Sequence, residues 1–425
     1  MRPISTLQRA VDGSHQVLIV GGGAAGIAAA SSLMARDAQL DVAIIDPAPQ
    51  HYYQPGWTLV GAGVFSARST VRSMASLIPK GVKWIQAAVS TFEPEANALV
   101  LDNGQALAYD QLIVCPGLKL DWDAIDGLSA TLGSNGVTSN YRYDLAPYTW
   151  QLVQQLKQGQ ALFTQPPMPI KCAGAPQKAM YLSCDHWLRN GHLPRINTRF
   201  MNAGAVLFGV PDYVPALMEY VHKYAIDLDF GHNLVAVDGP AKRATFVRTL
   251  ADGRQEHLER RFDLLHVVPP QTAPDFIRSS PLADAAGWVD VDPYSLRHTR
   301  FANIHGLGDA TNTSNAKTAA AARKQAPVVA NNVLVALKRL QRLAQYDGYG
   351  SCPLTVERGK IVLAEFTYGG KLAPSFAPWL LDGRKATRRA WWLKERILPP
   401  LYWRGMLKGH EWLARPTLNT DTPPA

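Results

Sequence analysis

The chain has 425 residues, 47% of them hydrophobic and 18% charged, with a net charge of +9, an ordinary globular mixture large enough for two or three packed units. Its four cysteines are too few for a disulfide scaffold, none forms a CxxC pair, and no Cys/His cluster has zinc spacing, so no metal is expected. Residues 1–13 lack the apolar run of a secretory signal and no stretch reaches the roughly 18 apolar residues of a membrane span, so a soluble or peripheral protein is expected.

Residues 16–20 (QVLIV) read as a short apolar strand. The glycine-rich run 21–26 follows at once, then an alanine-rich helix to about Met34 and a second strand over 42–46. This is a βαβ unit with its parts in order. Gly21 permits the tight turn, Gly23 lets the backbone approach a pyrophosphate, and Gly26 allows close helix–strand packing. Ala24 and Ala25 open the helix whose N-terminus faces the phosphates. Asp46 ends the second strand, where an acid accepts hydrogen bonds from an adenosine ribose. His51 follows in a loop near the adenosine side, where structural support is a better reading than acid–base work.

Residues 109–114 form a further strand ending in the turn Cys115, Pro116, Gly117. Residues 141–270 read as an inserted second domain. Within it, residues 168–176 (MPIKCAGAP) place Cys172 between a strand and a helix. A nicotinamide-binding domain would carry its own GxGxxG after a strand. The nearest equivalent, residues 205–212, has one glycine and a proline two residues later, which argues against a nicotinamide substrate. His186 and His192 read as ordinary surface or helix residues. Cys115 and Cys184 read as small buried hydrophobes.

Residues 301–309 form another strand, ending in Gly308 and Asp309. Asn312, Thr313 or Ser314 could cap a helix beginning near Lys317 and Thr318. Such segments recur in flavoproteins with two dinucleotide-binding domains. There the acid binds the ribityl chain and the helix aims its positive end at the flavin ring. Fingerprint, strand and Gly-Asp pair in this order point to FAD.

Cys352 follows in 346–354 (YDGYGSCPL). The final segment interleaves Trp379, Trp391, Trp392, Tyr402, Trp403 and Trp412 with basic residues. Residues 384–415 hold nine Lys or Arg and two Glu, a net +7 of the chain's +9. Pro399 and Pro400 are expected to divide this segment into two short helices. Aromatic belts with basic rims suit a bilayer interface rather than nucleic acid.

Five segments together resemble the sulfide:quinone oxidoreductases, in the group that includes the mitochondrial enzyme and its bacterial relatives. They are residues 51–63 (HYYQPGWTLVGAG), 171–178 (KCAGAPQK), 285–292 (AAGWVDVD), 317–321 (KTAAA) and 350–354 (GSCPL). The resemblance runs from about Gln16 to Trp412. It implies an α/β fold of two Rossmann-like domains: FAD-binding segments at 14–140 and 271–345, the second domain at 141–270, and a membrane-docking region at 346–425. Site residues carried over are Cys172 and Cys352 as the redox pair. Gln54, Lys317 and Thr318 join the fingerprint, turn and Gly-Asp residues as FAD contacts. Phe366, Tyr368, Phe376, Tyr402 and Trp403 are candidate quinone-wall residues. Family members often have a cysteine after the Gly-Asp pair, where this chain has Ala310.

The implied chemistry is sulfide oxidation. Hydrosulfide opens a Cys172–Cys352 bridge, direct or with an extra sulfur, by thiol exchange. By similarity Cys352 would hold the persulfide and Cys172 would attack the flavin ring. Lys171 and Lys317 are expected to lower the cysteine pKa values. Sulfite, glutathione, cyanide or sulfide would take the sulfane sulfur, and ubiquinone or menaquinone the electrons. The implied location is peripheral, on the cytoplasmic face of a bacterial membrane or on the mitochondrial inner membrane; homo-oligomerisation stays open. The rivals are a type 2 NADH:quinone oxidoreductase, the flavin subunit of a sulfide dehydrogenase, and an idle FAD-binding adaptor.

Overall fold

The computed structural model describes residues 11–250 and 252–419. Among them, seven strands form the first sheet. Its parallel part runs Lys83–Ile85, Val42–Ile45, Gly13–Val20, Ala106–Val114 and Ile304–Gly306. Ala98–Leu101 and Val89–Glu93 extend it antiparallel from the first half of Ala106–Val114. The central strands read as continuous apolar runs because both faces are covered: Val17, Leu18 and Ile19 are fully buried, as are Leu112, Ile113 and Val114. The register aligns Val20 with Ile45 and Val114, and Val114 with Gly306. Four carboxyl ends therefore finish at one edge, where α/β sheets bind ligands.

A second, five-stranded parallel sheet runs Val137–Thr138, Leu264–His266, Gly159–Gln165, Ile196–Asn202 and Asp227–Phe230. Its βαβ unit is Gly159–Gln165, the helix Ala175–Arg189 and Ile196–Asn202. Loop 166–174 therefore occupies the place of a second dinucleotide loop, and residues 205–212 do not. That loop carries Pro166, Pro167 and Pro169, and Cys172. Prolines lack the N–H groups that cradle a pyrophosphate.

The hairpin Gly350–Glu357 and Lys360–Phe366 packs on the second sheet's helix layer: Cys352, Leu354, Val356, Val362 and Ala364 share one apolar cluster with Met180, Tyr181 and Cys184. The tail does not break at Pro399 and Pro400. Residues 388–408 are helical throughout, with wide π turns at Leu393–Ile397 and Leu401–Gly405 on either side of Leu398–Pro400. An i→i+5 turn relieves the clash of a proline ring with the preceding turn, so the helix passes through. The tail then returns to the first helix, Ala24–Arg36. There Ser31 Oγ donates to Leu407 O at 2.9 Å, and Arg36 and Ser32 hold the Glu411 carboxylate. Among the described residues, no helix is long and apolar enough to cross a membrane.

Candidate active site

The carboxyl edge of the first sheet opens on a cleft of about 520 Å³ that runs from the glycine fingerprint past Cys172 to the tail helix. The fingerprint glycines divide by role. Gly21 has φ +106°, and a Cβ there would lie 2.5 Å from Cys115 O; at Gly26 it would lie 1.8 Å from Gly21 O. Those two are required by the protein's own packing. A Cβ at Gly23 or Gly117 would meet nothing within 4 Å, and both line the cleft. Their missing side chains leave room for a ligand, which fits a dinucleotide. Ala24, Ala25, Asp46, Gln54, Pro116, Gly308, Asp309, Lys317 and Thr318 line the same cleft. Asp46 is fixed there by Gly22 N at 2.6 Å and Ala48 N at 2.8 Å. No described residue hydrogen-bonds the Asp309 carboxylate. Burial pushes its pKa up, against the nearby Lys317 and Lys171.

The helix following Asp309 begins at Ala319, capped by Thr318 Oγ1 to Ala321 N at 3.2 Å, and not by Asn312, Thr313 or Ser314. The Lys317 ammonium donates to Asp309 O at 2.9 Å and Thr311 O at 2.7 Å and so holds the preceding residues as a loop. Burial pulls its pKa down to about 8.

The chain brings Cys172 and Cys352, 180 positions apart, to 3.8 Å between sulfurs. That exceeds a bond of about 2.05 Å, and both cysteines are free. Cys172 has φ +51° and its N–H donates to Lys317 O at 2.8 Å. Gly174 makes the approach possible, since a Cβ there would lie 2.6 Å from Cys352 Sγ. Neither Lys171 nor Lys317 reaches a sulfur. Lys171 reaches Gln54 Oε1 and lies over the Trp57 and Tyr141 rings. The cation at the pair is Lys178, buried, whose ammonium donates to Cys172 Sγ at 3.1 Å. A hydrogen bond from Cys352 and the Lys178 charge hold the Cys172 pKa well below the thiol range, against the effect of burial. The same bond and burial push Cys352 well above it.

Lys394 was counted among the basic rim residues of the tail. It is buried instead, donating to Pro55 O at 2.9 Å. Burial, with the Lys178 charge, lowers its pKa to about 7.

Among the candidate quinone-wall residues, Tyr402 and Phe376 line the cleft. Phe366, Tyr368 and Trp403 do not. Phe366 packs on Phe208 in the second core. Tyr368 stands against Tyr346 and donates to Pro293 O at 2.8 Å. Trp403 is held by Tyr53, His51 and Arg72. His51 is buried and donates from Nδ1 to Gly22 O at 3.2 Å; its Nε2 accepts from the Tyr402 hydroxyl at 2.6 Å. Burial lowers its pKa to about 4, so it links the tail to the fingerprint loop as a neutral ring. Cys115 and Cys184 are buried and make no hydrogen bond to the pair, and burial pushes both thiols up, Cys184 to about 12.

Two sheets with parallel cores, a glycine-fingerprint cleft on the first and a close thiol pair, one member of which lines that cleft, define a flavin-dependent oxidoreductase. Residues 15–164 match the pyridine nucleotide-disulphide oxidoreductase family. The chain is 40% identical over 406 residues to the mitochondrial sulfide:quinone oxidoreductase of Dictyostelium discoideum, covering 95% of this chain and 88% of that one. It is 39% identical over 396 residues to the mouse mitochondrial protein of the same name, covering 93% and 87%. The solved structure of the sulfide:quinone oxidoreductase from Aquifex aeolicus shares the fold, with a TM-score of 0.77 at 18% identity over 95% of this chain and 97% of that one. The chain belongs to the sulfide:quinone oxidoreductase family.

Proposed function

We propose that the protein oxidises hydrosulfide to sulfane sulfur at Cys172 and Cys352, holds FAD in the cleft, and passes two electrons to a membrane quinone. The observation that carries this reading is the 3.8 Å approach of the buried Cys352 sulfur to that of Cys172, which lines the cleft and carries the Lys178 ammonium. Bound FAD supplies two-electron transfer between sulfur and quinone.

The asymmetry of the pair sets the direction of attack. In the bridged enzyme, the better leaving group is the cysteine of lower pKa. Hydrosulfide therefore attacks the sulfur of Cys352, and Cys172 departs as a thiolate stabilised by Lys178. Cys352 is left as a persulfide. An acceptor nucleophile (sulfite, glutathione, cyanide or a second sulfide) removes the outer sulfur and leaves a Cys352 thiolate. Re-forming the bridge releases two electrons. Cys352 is 2% exposed, which favours a small attacking nucleophile. The fingerprint, Asp46, the Pro116–Gly117 turn, Asp309, Lys317 and Thr318 are the proposed FAD contacts. Phe376, Tyr402 and the tail's Leu393, Ile397 and Leu401 give the cleft an apolar end suited to a quinone. The proline-bearing loop 166–174 weighs against NADH as the reductant.

Anaerobic stopped-flow absorbance tests the reading. Sulfide should bleach the flavin of the wild type rapidly, and quinone should restore it. Cys172→Ala and Cys352→Ala should each abolish the bleaching. A flavin that ignores sulfide and bleaches with NADH would sink the proposal.

A further inference from the structure

One wall of the cleft carries a polar cluster that the sulfur chemistry does not use. Glu365 lies on the strand Lys360–Phe366, opposite Ser351. It is 5% exposed, yet its carboxylate is fully engaged. Oε1 accepts from Tyr349 Oη at 2.6 Å and from Ser375 Oγ at 2.5 Å, and Oε2 accepts from Ser375 N at 3.1 Å. All three residues line the cleft, and Ser375 is exposed. The hydrogen-bonded series Ser375–Glu365–Tyr349 therefore connects solvent to the cleft interior. Arg323, on the helix Ala319–Ala336, lines the same cleft, and its buried Nε has no hydrogen-bond partner among the described residues. Phe376, Leu363 and Leu393 supply apolar wall around these groups. A few convergent polar groups in an apolar cleft orient a ligand. A guanidinium with an unused N–H calls for an oxygen acceptor, and a hydroxyl backed by a carboxylate is built to move protons.

We propose that this cluster is the quinone head-group and proton-delivery site: Arg323 holds one quinone oxygen, Tyr349 protonates the quinone, and Glu365 reloads Tyr349 from solvent through Ser375. The inference rests on the quinone reading above and adds the residues that act on it. Reduction of one quinone to quinol takes two electrons and two protons. The electrons come from sulfide by way of the bound flavin, and the protons come from water. In each transfer Tyr349 gives its hydroxyl proton to a quinone oxygen while protonated Glu365 returns one to Tyr349. The Glu365 carboxylate then takes a proton through the Ser375 hydroxyl. Burial and the neighbouring Glu365 charge push the Tyr349 hydroxyl above its ordinary pKa, which keeps it a proton carrier between turnovers.

The test separates the two half-reactions of the flavin-loaded enzyme, with sulfide as reductant and a short-chain ubiquinone as oxidant. In Glu365→Gln and Tyr349→Phe, sulfide bleaching should stay within about twofold of wild type, while quinone-driven reoxidation slows by about 10²-fold and its solvent deuterium isotope effect grows. Glu365→Asp should restore part of the rate. Arg323→Gln should raise the quinone KM with a smaller change in kcat. Ser375→Ala, at an exposed position, interrupts the same relay and carries the test should a Glu365 variant fail to fold. Reoxidation within about twofold of wild type in these relay variants overturns the inference. A wild type that sulfide reduces but quinone does not reoxidise sinks the quinone reading instead.

Discussion

Lys178 makes two otherwise similar sulfurs chemically different. It is one of the few cations sealed into the interior, and burial opposes its charge. Its interactions with the paired cysteines, the Cys172 thiolate first, more than offset that penalty and keep it protonated. Removing it leaves Cys172 buried with its main cationic partner gone, so the Cys172 pKa rises. The sign follows: the thiolate fraction falls at neutral pH and recovers only as pH increases. Lys178→Met should therefore shift the pH profile of sulfide-driven bleaching to the alkaline side and slow it at neutral pH by about tenfold or more, since each pKa unit is a factor of ten in thiolate. Lys178→Arg should recover part of it. An unchanged profile would remove Lys178 from the chemistry. The residue was within sight in the sequence, inside the 171–178 segment, but its role was not. Lys171 adjoins Cys172 in the chain, yet its ammonium goes to Gln54 Oε1 and to the Trp57 and Tyr141 rings. The helix that starts at Ala175 then brings back the residue one turn further on.

At the scale of elements, the parts written in local spacing were legible and those written in tertiary contact were not. The fingerprint could be read because its glycines answer local needs: Gly26 makes room for Gly21 O, and Gly23 leaves the cleft open. The tail could not be read this way. Two prolines in a row predict a break, but π turns and the buried Lys394, tied to Pro55 O, carry the helix through. The place of the missing second nucleotide loop was also misread, because the strand Gly159–Gln165 opens the βαβ unit one strand earlier than residues 205–212 suggest. Loop 166–174 carries three prolines where a nucleotide loop would offer N–H groups, and it carries the cysteine. Its last residue tests how tightly the loop must seat. Gly174 has ordinary backbone angles, so alanine strains nothing there, but its Cβ would lie 2.4 Å from Leu354 Cδ2 and 2.6 Å from Cys352 Sγ. Gly174→Ala should retain its flavin, lose about 1–3 kcal/mol of stability to overpacking, and lose most sulfide-driven bleaching as the sulfurs separate. Flavin content, thermal melting and stopped-flow absorbance read the three effects. Full sulfide reactivity in this variant would show that the 3.8 Å approach is not what the chemistry needs.

Across the whole molecule, the cleft, tail and surface form one arrangement. The tail helix walls the apolar end of the cleft with Leu393, Ile397 and Leu401, and Leu413 both lines the cleft and stands 69% exposed. The same segment exposes Trp379, Trp392 and Trp412 and buries Trp391 and Tyr402, so the aromatics expected as a belt are shared between core and surface. All of its basic residues except Lys394 are exposed. Indole rings among cations are suited to the headgroup layer of an anionic bilayer. A quinone could then enter the apolar end without crossing water. Trp379→Ala, Trp392→Ala and Trp412→Ala combined should weaken cosedimentation with anionic phospholipid vesicles by about tenfold or more, because tryptophan anchors supply much of interfacial affinity. Raising the ionic strength should weaken wild-type binding as well, through the basic rim. Turnover with a soluble short-chain quinone should be unchanged in the triple variant, while turnover with a long-chain quinone embedded in vesicles should fall in step with binding. If the two quinones respond alike, the aromatic residues serve the cleft itself and not a bilayer surface.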